Sequence, residues 1–253
     1  MGSFISLTAA DGTAVPAWVA RPEGPVRGAV VVAQEIFGVN SHIRAVTDRL
    51  AARGFVAIAP ALFTRLEFDV QLGYDAEGMA RGKALKAAAE ALPGEGVLQD
   101  IRAAAQWALQ QDGVAGVAMV GFCWGGLLAW RAAERVSELS AAVCYYGGGM
   151  TVSPEVARTP RVPVLAHFGA RDAHIALDGV QAFSRATPGC RYMCTTPTMA
   201  STATSAAATT RPAPSRPRTA RWPSSTSTWR GPDAGLRQKE SGWRLPCLGF
   251  GVF

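Results

Sequence analysis

Ten residues in the middle of the chain, Val117 to Gly126, restrict its fold more than any other stretch. They read Val-Ala-Met-Val-Gly-Phe-Cys-Trp-Gly-Gly, and an apolar helical run begins at Leu127. Apolar strand, sharp turn and helix follow one another, with the thiol of Cys123 at the apex. The pattern is that of a nucleophile elbow, G-x-S-x-G, with cysteine in place of serine. So tight a turn leaves no room for side chains beside the nucleophile, which gives Gly121 and Gly125 a mechanical reason. The helix N-terminus beside the sulfur carries partial positive charge and is expected to favour the thiolate. The backbone N–H of Trp124 is expected to point at a developing oxyanion. A buried cysteine in a glycine-rich turn is the competing reading, and the rest of the chain decides between the two.

Strands and helices alternate on both sides of this stretch. Residues 3–8 and 15–20 read as strands joined by a turn at Asp11-Gly12. Gly28 to Gln34 is a short continuous apolar run, as a buried parallel strand requires. Asn40 is an N-cap candidate for a helix over Ser41 to Arg53, where Ile43, Val46, Leu50 and Ala51 recur at helical spacing and Gly54 stops the run. Phe55 to Ala59 is the next strand. An excursion over residues 61–95 carries a helix around Glu77 to Leu92. An amphipathic helix follows over Val97 to Gln111, then the elbow strand Val117 to Val120 and its helix Leu127 to Val136. Strands at Ala141 to Tyr146 and Val162 to Phe168 and a helix at Asp178 to Arg185 complete the series. Such alternation predicts an α/β fold, a mostly parallel sheet with helices on both faces. Ligands of such sheets bind beyond the C-terminal strand ends. Glu35, Cys123 and Asp172 all fall at such ends.

A chain of 253 residues holds one large domain. It has no apolar run long enough to span a bilayer, and its first residues lack the pattern of a signal peptide, so a cytoplasmic protein is expected. The five cysteines show neither paired spacing nor a metal signature. No phosphate loop or dinucleotide fingerprint occurs either, so no cofactor and no metal are expected. The net charge of +6 suggests nucleic acid only until it is located. Residues 1–192 carry 17 Lys and Arg against 17 Asp and Glu, whereas residues 193–253 carry 8 against 2. The excess therefore belongs to the last quarter, and neither a nucleic-acid nor a membrane partner is expected.

Three blocks resemble the dienelactone hydrolase family, a cysteine branch of the α/β-hydrolases. Gln34-Glu35-Ile36-Phe37-Gly38-Val39-Asn40 follows the third strand. Gly121-Phe122-Cys123-Trp124-Gly125-Gly126 is the elbow, and His167-Phe168-Gly169-Ala170-Arg171-Asp172 follows a later strand. The likeness runs from about the N-terminus to about Arg191. It implies an α/β-hydrolase domain over residues 1–192, a monomer acting on a small lactone or ester. By the resemblance, Cys123 is the nucleophile that becomes acylated. Asp172 is the carboxylate that orients a histidine, and Glu35 is the acid that contacts the resting thiol and moves when substrate binds. The backbone N–H groups of Ile36 and Trp124 form the oxyanion hole, and Arg81 receives the substrate carboxylate. A broader esterase or thioesterase role is open on the same fold.

The pattern breaks at its base. The family's histidine follows the last strand, beyond the aspartate, but the three histidines here are His42, His167 and His174, and none comes later. The 36 residues from Thr195 to Arg230 are all Thr, Ser, Ala, Pro or Arg except Met199, Trp222 and Trp229. One reading is a disordered basic tail that binds acidic partners. The genetic code offers another, since Thr, Ala, Pro and most Ser codons share a middle C. Moving the frame back by one base across Met193 to Ser201 permits Val-Tyr-Asp-Ala-Asp-His-Gly-Phe. That resembles the family's histidine stretch. The expectation is a frame slip near Tyr192 to Met193, with the last strand, the histidine and a C-terminal helix encoded but untranslated. The chain as written is then expected to be poorly active, poorly soluble, and aberrant over 193–253. A cysteine redox sensor is a further alternative, and it needs a resolving thiol, for which Cys144 on the neighbouring strand is the candidate.

Overall fold

The computed structural model describes residues 2–195. The expected tail, apart from Met193 to Thr195, lies outside them.

The strands are β1 (Ser3–Thr8), β2 (Ala14–Ala20), β3 (Ala29–Ala33), β4 (Val56–Pro60), β5 (Val117–Phe122), β6 (Leu139–Tyr145), β7 (Val164–Gly169) and β8 (Arg191–Thr195). The helices are α1 (Ser41–Ala51), α2 (Ala76–Glu90), α3 (Leu98–Leu109), α4 (Trp124–Arg135) and α5 (Leu177–Ala186). The described strands form one sheet in the order β1-β2-β4-β3-β5-β6-β7-β8. β1 and β2 pair antiparallel, as do β2 and β4, and every later pairing is parallel.

The central strands are buried along their whole length because both sheet faces are covered. Every residue of β3 (Ala-Val-Val-Val-Ala) and β4 (Val-Ala-Ile-Ala-Pro) is buried. Alternate residues face opposite sides of a pleated strand. Val31, Ala33, Ile58, Met119 and Cys144 join Ile101 and Ala104 of α3 and Leu128 and Trp130 of α4 in one core. Helix α1 packs against β2, β3 and β4 through Ile43, Val46, Thr47 and Leu50, and Val30, Val32, Ala57 and Val120 are the alternate, likewise buried residues. The side chain of Asn40 accepts the Ile43 N–H at 3.2 Å and caps α1, as its position in the sequence suggests.

Two boundaries differ from expectation. Helix α4 begins at Trp124, not Leu127, because Gly125 and Gly126 are its first turn. Residues 191–195 form β8, so a last strand is present and runs parallel to β7. Its burial is slight. Tyr192 is half-buried and its four other residues are exposed.

Acid–base pairs fasten the segment 155–158 to α4. Glu155 receives Arg131 Nε at 3.0 Å and Arg158 Nε at 2.6 Å, and Arg158 also reaches Glu134 at 2.7 Å. Burial by itself would raise the Glu155 carboxyl, but the two guanidinium groups outweigh it and hold it below 4.5. Glu134 is lowered, against its own burial, by Arg158 and by the Thr159 backbone N–H. A carboxyl lowered on folding stabilises the fold fully above its unfolded value and loses that contribution as pH falls through the lower folded value. Stability to urea is therefore expected to fall as pH drops below 4.5, with a weaker dependence in Glu155→Gln. An identical acid limb in that variant would show that the pairs contribute nothing.

Candidate active site

The elbow is built by steric exclusion. β5 delivers the chain at Phe122, Cys123 turns it with φ 54° and ψ −116°, and α4 starts at Trp124. A positive φ is costly for a side chain with a Cβ, and it persists only where surrounding packing imposes it. That packing is visible at the glycines. A Cβ on Gly121 would lie 1.8 Å from the Gly125 carbonyl oxygen, and one on Gly125 would lie 2.4 Å from the Ala33 oxygen and 2.5 Å from the Gln34 oxygen. The second contact presses the elbow onto the exit of β3, where Glu35 and Ile36 begin. The Cys123 N–H donates to the Tyr145 carbonyl at 3.0 Å and anchors the turn to β6.

Glu35 is buried at 9% exposure. Tyr74 donates its hydroxyl to Glu35 Oε2 at 2.6 Å, and Tyr146 donates to Oε1 at 3.5 Å. Burial, then the neighbouring carboxylate, pushes both phenols above their ordinary value, so both remain donors. Tyr146 itself has φ 38° and follows β6 directly. Neither tyrosine was legible from spacing alone. Trp124 is buried, stacks on Phe63 with centroids 5.0 Å apart, and donates its indole N–H to Glu90 at 2.6 Å.

The thiol of Cys123 is pushed above 9.0, first by burial and then by Glu35 and Asp172, against the Trp124 backbone N–H and Lys86, which lower it. The expectation that the helix terminus favours thiolate is thus half met. The N–H acts in the expected direction, but desolvation is larger. Asp172, beyond β7, accepts the backbone N–H of His174 at 2.7 Å and of Ile175 at 3.2 Å through Oδ1. It therefore shapes its own turn while acting on the sulfur's charge.

Arg81 is on the exposed side of α2, ion-paired with Glu67. His42 borders the group around Glu35 and Cys123. His42 meets the rings of Tyr74 and Phe122, each at 6.4 Å. His167 stacks on Tyr145 at 4.4 Å, and its burial lowers its proton affinity. His174 is exposed in the turn after Asp172. Cys144 is fully buried, and that burial pushes its thiol up, an environment unlike that of a resolving thiol. Among the described residues, no cluster of three or more His, Cys, Asp or Glu is placed to hold a metal, and no helix is long and apolar enough to cross a membrane.

A mostly parallel sheet flanked by helices, with a nucleophile-type residue on the turn after its fifth strand, defines an α/β-hydrolase fold. The dienelactone hydrolase family profile matches residues 15–191, and the chain belongs to that family. A Salmonella typhimurium protein named "Putative carboxymethylenebutenolidase" is 36% identical over 196 residues, 72% of this chain and 69% of its own length. The carboxymethylenebutenolidase of Pseudomonas sp. strain P51 is 37% identical over 175 residues, covering 66% and 68% of the two chains. A Klebsiella pneumoniae crystal structure described as a "Putative Dienelactone Hydrolase" superposes with TM-score 0.64 at 31% identity, over 77% of this chain and 84% of that one. The chain is thus of an ester-hydrolase family.

Proposed function

We propose that this domain hydrolyses small lactones, of the dienelactone type, through a thioester on Cys123. The observation that carries the reading is the position of Cys123 on a sterically enforced turn with φ 54° at the start of α4, where Glu35, Asp172 and the Trp124 N–H all act on the charge of its sulfur. The Cys123 thiolate adds to the ester carbonyl, a C–S bond forms, and the π electrons move to oxygen. The N–H groups of Trp124 and Ile36 receive that oxyanion. Collapse breaks the C–O bond, the ring oxygen takes a proton, and the acyl group remains on sulfur. Water then adds to the thioester, the C–S bond breaks, and the thiol is restored.

The proton carrier in this scheme is the histidine of the shifted frame, oriented by Asp172. It would stand about 27 residues after Asp172, where the written chain has Met199. The written chain, with no histidine after His174, is accordingly a catalytically impaired product. Sequencing the DNA over codons 190–202 tests the slip directly, and an intact frame with no family-like product in the shifted one would remove it. Both chains are then assayed with a dienelactone and with p-nitrophenyl acetate. Loss of the base is expected to slow the written chain by about 10²–10⁴ relative to the restored one. Equal rates would refute the role of the histidine. A restored chain that turns over simple esters but no lactone would favour the general esterase reading.

A further inference from the structure

Helix α2 touches both residues assigned to the oxyanion hole. At Gly82 it lies against Ile36, where a Cβ would come within 2.3 Å of the carbonyl oxygen and 3.1 Å of the carbonyl carbon. About 12 Å further along the helix axis, Glu90 accepts the indole N–H of Trp124 at 2.6 Å. Leu85 and Ala89, between these points, are buried in the core and keep the helix from rotating away.

Glu90 is engaged on both oxygens. Oε1 receives Trp124, and Oε2 receives Arg131 Nη1 at 2.6 Å. Trp124 opens α4, and Arg131 stands about two turns later on the same helix. One carboxylate therefore spans the start of the elbow helix from outside, with Arg131 fixing the carboxylate itself. Phe63, from the exit of β4, stacks on the Trp124 ring with 9° between the planes. The stack sets the plane of the indole, and the bond to Glu90 sets its direction within that plane.

A buried indole N–H calls for an acceptor on grounds of stability alone. Here the same residue also supplies the backbone N–H that follows the Cys123 turn. That N–H belongs to the first turn of α4, where backbone donors have no intrahelical acceptor. Displacing the indole displaces this donor with it.

We propose that Glu90 is a positioning residue of the Cys123 site, which by holding the indole of Trp124 keeps the Trp124 backbone N–H aimed at the developing oxyanion. The proposal rests on the acyl-transfer reading given above and adds to it the side chain that holds one of its donors.

Two reagents test it on the chain as written, because only one of them forms an oxyanion. p-Nitrophenyl acetate adds the thiolate at its carbonyl, passes through a charged tetrahedral oxygen, and expels p-nitrophenolate to leave acetyl on sulfur. Iodoacetamide forms its C–S bond at a methylene carbon and expels iodide, with no oxyanion. Both consume the same thiolate, so the ratio of acetylation to alkylation cancels its abundance. Each rate is read at one pH by mass spectrometry of the Cys123 peptide. In the folded parent the ratio is expected to exceed that of the urea-unfolded chain by at least about tenfold. Glu90→Met is expected to lower the ratio about tenfold, part of the roughly 10²–10³ that a whole donor contributes. Glu90→Gln keeps an acceptor for the indole N–H and is expected to stay within about twofold of the parent. Trp124→Phe removes the indole N–H and should lower the ratio too, and adding Glu90→Met to it should bring no further fall. A ratio unaltered in Glu90→Met or in Trp124→Phe, including the case where both rates fall together, overturns the proposal and leaves the acyl-transfer reading standing. A parent ratio no higher than that of the unfolded chain overturns both.

Discussion

Alanine at position 121 is expected to leave no native elbow, at a cost of about 4 kcal/mol or more in urea unfolding. The added methyl would sit 1.8 Å from the Gly125 carbonyl oxygen and 2.2 Å from its carbonyl carbon. Both are backbone atoms at the start of α4, so no side chain can swing aside. Relief requires moving β5 against α4, and that movement is blocked in turn by Gly125, which lies against the backbone of Ala33 and Gln34. Overpacking an ordinary core site costs roughly 1–3 kcal/mol because neighbours repack, and here the neighbours are main chain. Gly148 provides the control, since a Cβ there meets nothing within 4 Å. Gly148→Ala should fall within about 0.5 kcal/mol of the parent. Equal effects at the two positions would mean that the elbow tolerates distortion and that its glycines have another origin.

The written chain should label with iodoacetamide at Cys123 along a pH profile whose midpoint lies above 9.0. The reagent consumes thiolate, and a thiol pushed above its ordinary value is almost wholly protonated at pH 7. Burial is the largest cause and Glu35 the next, so Glu35→Gln should move the midpoint down and speed labelling at neutral pH. Asp172→Asn should act in the same direction but less, because its effect on the sulfur is smaller. The frame-restored chain, with a histidine to take the proton, is expected to label fast near neutral pH. The difference in rate at pH 7 between the two chains is expected to exceed about tenfold. A midpoint below 9.0 in the written chain would show that the helix terminus and Lys86 together outweigh desolvation.

Much of the fold was legible because its strands are short apolar runs separated by helices. The run from Gly28 to Gln34 and the spaced apolar residues of α1 both appear as predicted, and Asn40 caps as predicted. β8 escaped because Arg191-Tyr192-Met193-Cys194-Thr195 has an apolar run of only three residues and no alternation, and the strand is almost wholly exposed. The start of α4 escaped because Gly125 and Gly126 read as turn residues, whereas they are helical glycines kept small by the backbone packed on them. Glu35, Cys123 and Asp172 were singled out through their positions after strands, and Glu35 and Asp172 both raise the proton affinity of the Cys123 thiol. Tyr74 and Tyr146 were not, because nothing in the sequence links them to Glu35, 39 and 111 residues away.

The elbow is continuous in sequence, yet its shape is imposed from outside. Residues 29–33 of β3 lie alongside 117–121 of β5, about 90 residues later in the chain. Only when these strands are paired does the backbone of Ala33 and Gln34 press on Gly125. The nucleophile's geometry is consequently a product of long-range assembly. A synthetic peptide spanning the motif would contain every atom of the turn and none of its constraint. A chain in which β3 and β5 are not paired therefore carries an ordinary cysteine at position 123.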